Sequence, residues 1–218
     1  MVHGRRAIIW AIVSLGSVGA GCGGAQSAAD SSTATQPVPV FGHTVVLVPI
    51  RGTVLIRLPG TSTGFVRLST ARAVPVGTVV DTTTGRVSLT SANPSGRGTQ
   101  TGEFFRGIFR VEQNRASAGL VNLVIRDNLT HRVCGLGAAH GAALSQRVLG
   151  LLRGTAKGRF TTTGRFAAAT VRGTDWGVRD RCDGTLTVVR TGVVVVRDFR
   201  LHRDVTVRAG QTYLAKAP

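Results

Sequence analysis

Carboxylates are the first residues in this chain that could carry chemistry, and they fall into two groups. Glu103, Glu112 and Asp127 lie within the stretch Ala92 to Gly164, and Asp175, Asp180 and Asp183 surround Cys182. Two such groups converging in a pocket, with their pKa values pushed apart, would suit acid–base hydrolysis. Three aspartates could instead hold calcium. The interleaved Arg179 and Arg181 favour ion pairs and turn capping, with Asp183-Gly184 as a hairpin turn. His131 and His140 could join a carboxylate at a metal, but each reads more simply as an isolated surface or turn histidine. A nucleophile elbow, a zinc His-Glu-x-x-His pair and a phosphate loop are absent. Gly135 and Gly137 are followed by Gly141, one residue too late for a dinucleotide fingerprint. The expectation is a non-enzyme with no catalytic residue, no cofactor and no metal. An exported hydrolase using Glu103, Glu112 or Asp127 is the competing reading.

Three cysteines carry the next chemistry. Cys22 follows the small residues Ala20 and Gly21 at the end of an uncharged run that begins after Arg5 and Arg6. That layout reads as an export signal over residues 1–22. It resembles a bacterial lipobox, with Gly19 where leucine is usual, which makes Cys22 the expected lipidation site. Cleavage near Ala29 and an uncleaved anchor are the alternatives; the strongly apolar part, Ala7 to Leu15, is short for a span. Cys134 and Cys182 then remain as an even pair for an oxidising compartment, either bridged or buried as separate thiols. No Cys-x-x-Cys spacing points to a metal knuckle.

The segments that must position these residues differ in composition. Residues 23–40 are rich in Gly, Ala, Ser, Thr, Gln and Pro with Asp30 the only charge, and are expected to form a disordered tether. Residues 41–215 show the period-two alternation of strands: Val54, Ile56 and Leu58; Val121, Leu123 and Ile125; Leu186 and Val188; Val205 and Val207. Glycines punctuate these runs at Gly85, Gly107, Gly184 and Gly192. One helix is expected, from Gly141 to Leu152. The fold class is all-β, with many short strands in a sandwich or a short β-solenoid. Gly52 to Arg57 echoes Gly192 to Arg197, and Gly77-Thr78 echoes Gly173-Thr174, at spacings too irregular for a repeat array. Trp176 is expected in the core.

The run Ala169-Thr170-Val171-Arg172-Gly173-Thr174-Asp175-Trp176 leads to Asp183-Gly184-Thr185, a Gly-Val-Val-Val-Val strand and Val207-Arg208-Ala209-Gly210-Gln211. With Pro75 to Thr82 and Gly85 to Leu89, this order resembles the two halves of the FecR-type domain, split by an insertion at about 92–164. The resemblance implies a non-enzymatic extracytoplasmic β domain, a sensor for sigma-factor signalling in some members. This chain lacks a cytoplasmic helical domain and a mid-chain spanning helix, so that signalling role does not carry over.

Charge bears on partners. The net charge is +17, and Lys157 and Lys216 are the only lysines among 27 basic residues. Attraction to an anionic polymer is the functional reading, and an arginine-rich composition spread over solvated strand faces is the plain one. Nucleic acid is not expected, because aromatics do not interleave with the arginines. The expected partners are a membrane through the lipid anchor, and an anionic cell-wall polymer or an envelope protein. The expected location is extracytoplasmic, either lipid-anchored at the cell membrane or secreted. Asn128-Leu129-Thr130 is a glycosylation sequon with meaning only in a eukaryotic secretory route.

Overall fold

A computed structural model describes residues 37–126, Cys134 and 146–218. The leader, most of the tether, Asp127, the sequon, His131 and His140 lie outside the described residues. Within them the chain forms fifteen strands and one short 3-10 turn, all strands belonging to one hydrogen-bonded sheet. The all-β expectation is met.

The sheet folds over on itself along one long hairpin, β10 (Val148–Thr163) and β11 (Ala167–Arg181). The first half of β10 pairs with β7 (Thr99–Phe105), and its second half pairs with β9 (Val121–Ile125). β11 divides in the same way between β12 (Gly184–Thr191) and β13 (Val193–Asp198). Two half-sheets result. The first continues from β7 through β6 (Gly85–Ala92) and β1 (Thr44–Gly52) to β4 (Arg72–Pro75), and from β12 to β15 (Thr212–Lys216). The second continues from β9 through β8 (Ile108–Gln113), β5 (Val79–Asp81) and β2 (Leu55–Arg57) to β3 (Val66–Arg67), and from β13 to β14 (Arg203–Arg208). The form is a single curled mixed sheet, a half-barrel, in which only β9 and β10 pair in parallel; it is neither the expected sandwich of two separate stacked sheets nor a solenoid. Strands β7 to β10, within the stretch read as an insertion, lie in the interior of the sheet path.

Aromatic rings join the two halves. Phe104 on β7 packs against Phe109 on β8 and Phe160 on β10, at centroid distances of 5.8 and 5.5 Å, and meets Trp176 edge-on at 6.1 Å. All four are fully or almost fully buried, as expected for Trp176. Each such pair contributes about 0.5–1.5 kcal/mol beyond the area it buries. In register, Phe104 and Trp176 stand on either side of Gly154. A Cβ there would lie 2.8 Å from the Phe104 ring, so glycine lets the rings close over the strand. The Trp176 indole N–H donates to the Thr162 hydroxyl at 3.1 Å, satisfying the one polar atom that this side chain buries.

The internal echo has a structural cause. Gly52 and Gly192 adopt φ of +70° and +77°, and each stands just before the chain crosses from the first half-sheet to the second. The two segments are alike because both turn out of one layer and start a strand in the other.

The helix expected from Gly141 to Leu152 needs correction. Its described end, Val148 to Leu152, is the start of β10 and pairs with Val178 to Arg181 of β11. The run Val-Leu-Gly-Leu-Leu is short and apolar, and periodicity alone does not separate a buried strand from a helix at that length.

Candidate functional site: an arginine band on the outer face

Register builds a basic row on the outer face of the first half-sheet. Arg51 on β1 stands opposite Arg86 on β6, Arg86 opposite Phe105 on β7, and Phe105 opposite Arg153 on β10. Arg153 in turn faces Gly177 on β11. The guanidinium carbons of Arg86 and Arg153 lie 4.1 and 5.0 Å from the Phe105 ring centroid, so one half-exposed aromatic holds two cations beside each other. Gly177 has no side chain to stand in the way, and the Arg153 stem lies over it.

A fourth arginine comes from the turn between β7 and β8. Thr82, fully buried, donates its hydroxyl to the Gly107 carbonyl at 2.8 Å, while its own carbonyl accepts from Arg106 N–H at 2.9 Å. Gly107 passes so close to Leu151 that a Cβ would lie 1.6 Å from its carbonyl oxygen. Arg106 takes φ +66°, a left-handed conformation uncommon for a residue with a Cβ. Arg51, Arg86, Arg106 and Arg153 thereby line one open pocket of about 480 Å³, together with Thr83, Thr84, Thr155 and one carboxylate, Asp175. A small depression over Gly177, of only about 10 Å³, shares Arg153 with this pocket and is edged by Arg179 and Arg190.

Few carboxylates offset these charges. Arg86 donates to Glu103 at 3.0 Å, and Arg190 lies 4.0 Å from Asp175. Arg51, Arg106, Arg153 and Arg179 make no ion pair among the described residues. Burial pushes the Asp175 carboxyl above its usual pKa, with Arg86 pulling the other way, and its Oδ1 is buried without a hydrogen bond. Charge on this carboxylate is poorly compensated where it stands.

The carboxylates singled out from the sequence separate in space. Asp180, near the end of β11, is buried, and its carboxylate accepts from the Arg165 N–H of the β10–β11 turn and from the Thr185 hydroxyl. Asp183 pairs with Arg181, and Glu112 on β8 pairs with Arg110 and accepts from Asn122. Glu103 and Asp175 do share a groove of about 480 Å³, facing Thr155 from opposite sides. Two strand spacings put their Cα atoms about 10 Å apart. Among the described residues no cluster of three or more His, Cys, Asp or Glu side chains could hold a metal. Cys134 and Cys182 are bonded to each other, with Cα atoms 5.4 Å apart, within the ordinary range for a bridge. Cys22 lies outside the described residues.

The arginine band was not singled out in the sequence. Its members are scattered from position 51 to 190 and are united only by strand register. No family model, no curated protein and no solved structure matches this chain.

Proposed function

We propose that this protein is an exported, non-catalytic module of the cell envelope that holds anionic envelope material on the outer face of its first half-sheet. The observation that carries the reading is the pocket into which Arg51, Arg86, Arg106 and Arg153 converge, three of them without an ion pair among the described residues. Guanidinium groups bind oxyanions through paired N–H donors in a planar fork and lose less mobility per hydrogen bond than lysines. The bridge between Cys134 and Cys182 supports an oxidising, extracytoplasmic compartment. The FecR-type motifs and the lipobox-like Cys22 support export and a lipid anchor.

Retention on isolated cell walls tests the reading. Binding should be strong at low salt and fall steeply as salt rises, because each bound anion displaces counter-ions and screening weakens surface charge. Retention that ignores salt, or none at any salt, refutes it. The mass of the mature product in membrane fractions tests the address: an acylated chain beginning at Cys22 is expected, and an intact chain beginning at Met1 overturns the lipid anchor.

A hydrolase is the second reading, favoured by Glu103 and Asp175 lining one groove while burial raises Asp175. Release of soluble fragments from cell walls, abolished in Asp175→Asn and Glu103→Gln, would establish it in place of the first.

A further inference from the structure

We infer that the arginine band takes a linear polymer of phosphodiesters, laid across the strands from β1 toward β12. This rests on the band being the binding surface. Three features of the band select that ligand. The four arginines of the open pocket arrive from the end of β1, from β6, from the β7–β8 turn and from β10. Donors arriving from several directions suit the two charged oxygens of a phosphodiester, which accept from a wide range of directions about phosphorus. A carboxylate presents its lone pairs in one plane and leaves part of such a set unused.

Continuity of charge is the second feature. The pocket and the depression over Gly177 share Arg153, so basic groups run on from Arg51 to Arg179 and Arg190. From β1 to β12 the band crosses five strand spacings, about 24 Å. One small anion occupies only a fraction of that length, whereas a chain with a charge in every repeat covers it. Shape is the third. The arginines line a concavity together with Gly85, Phe105 and the single carboxylate Asp175. A flexible strand of polymer enters such a trough; headgroups in the plane of a bilayer reach only its rim.

Titration calorimetry on the intact protein, with four probes, tests this. They are a hexamer of 1,3-linked glycerol phosphate, the single diester glycerophosphoglycerol, hexaglutamate, and phosphatidylcholine vesicles containing phosphatidylglycerol. The hexamer should bind at least about tenfold more tightly than either the single diester or hexaglutamate, and more tightly per phosphate than the vesicles. Arg153→Gln should weaken the hexamer by about tenfold or more, the scale of one lost charge-assisted hydrogen bond. Arg200→Gln removes the same charge in the β13–β14 turn and should change hexamer binding less than twofold. An unchanged thermal midpoint in both variants shows that they are folded.

Equal affinity for the hexamer and hexaglutamate overturns the phosphodiester assignment. Equal losses in Arg153→Gln and Arg200→Gln assign the binding to net charge and overturn the site. Vesicle binding that needs Arg153 while the hexamer binds weakly assigns the band to lipid headgroups and overturns the polymer. In each case salt-sensitive retention on cell walls leaves the broader reading standing; loss of that retention removes the broader reading itself.

Discussion

At the scale of single residues, Arg106 sets stability against binding. Its φ of +66° costs about 1–2 kcal/mol for a residue with a Cβ, and glycine avoids that cost while adding about 0.5–1 kcal/mol of chain entropy. Arg106→Gly should therefore stabilise the fold by about 0.5–1 kcal/mol in urea unfolding, and at the same time weaken anion binding. A variant that lost stability would show that the Arg106 side chain supports the turn rather than the pocket. Asp175 gives a second residue-scale expectation, through pH. Its folded pKa lies above the unfolded value, so the folded state is penalised once the carboxyl ionises. Asp175→Asn should unfold at higher denaturant than the parent at neutral pH, and the difference should close as pH falls through the carboxylate range. The same variant should bind phosphodiester more tightly, because a poorly compensated negative charge leaves the rim of the pocket. A parent and variant with parallel pH profiles would contradict the burial argument.

Strand-scale order depends on a few buried polar clamps, and the clearest joins the two half-sheets at their C-terminal edge. Asp198, buried at the end of β13, accepts from Leu201 N–H at 2.9 Å and from the Tyr213 hydroxyl of β15 at 2.8 Å. Burial alone would raise this carboxyl, but the hydrogen bonds from Leu201, Tyr213 and the Arg200 backbone, with the Arg200 charge, prevail and hold it below its usual pKa. Tyr213 is shifted upward, first by burial and then by its bond to Asp198. The two signs give two limits. A depressed carboxyl stabilises fully above about pH 4 and ceases to do so as pH falls through its folded value. A raised phenol stabilises fully below about pH 10 and ceases to do so as pH rises through its folded value. Tyr213→Phe should therefore lower stability at neutral pH and flatten the alkaline limb of the pH–stability curve, and Asp198→Asn should flatten the acid limb. Urea unfolding between pH 2.5 and 11 measures both; unchanged limbs would mean that the clamp does not couple to folding. The alternation of Val54, Ile56 and Leu58 through β2, of Val121, Leu123 and Ile125 in β9, and of Val205 and Val207 in β14 made these elements legible in the sequence, because one face of each meets the core and the other meets water. The start of β10 was misread as helix for the converse reason: Gly150 and Gly154 interrupt the alternation, and what makes Val148 to Leu152 a strand is pairing with Val178 to Arg181 of β11, far away in sequence.

For the whole molecule, what the sequence hid was adjacency. Arg51, Arg86 and Arg153 read singly as solvated charges, and nothing in their spacing shows that Phe105 sits between two of them. A sheet whose β10 meets β7 along one half and β9 along the other places residues by register, and register is set across the fold rather than along the chain. Cysteine pairing was legible because parity and compartment limit it, needing no knowledge of topology. Its consequence is global. The bridge closes a span of 48 residues that runs from Cys134 through the whole β10–β11 hairpin to the turn before β12. On the chain-entropy account a loop of that size restricts the unfolded state by about 4 kcal/mol. The hairpin it closes carries Arg153, Asp175 and Arg179, and it is also the element on which both half-sheets are hung. Reduction should therefore shift the entire unfolding transition to lower denaturant without splitting it, and should lower binding only where the protein unfolds. Equilibrium unfolding with and without reductant, followed by both far-UV circular dichroism and tryptophan fluorescence from the buried Trp176, checks this. Coincident transitions displaced together are expected. A separate early loss of fluorescence would show instead that the hairpin and its arginines open before the rest of the sheet, and that the bridge guards the binding face rather than the fold.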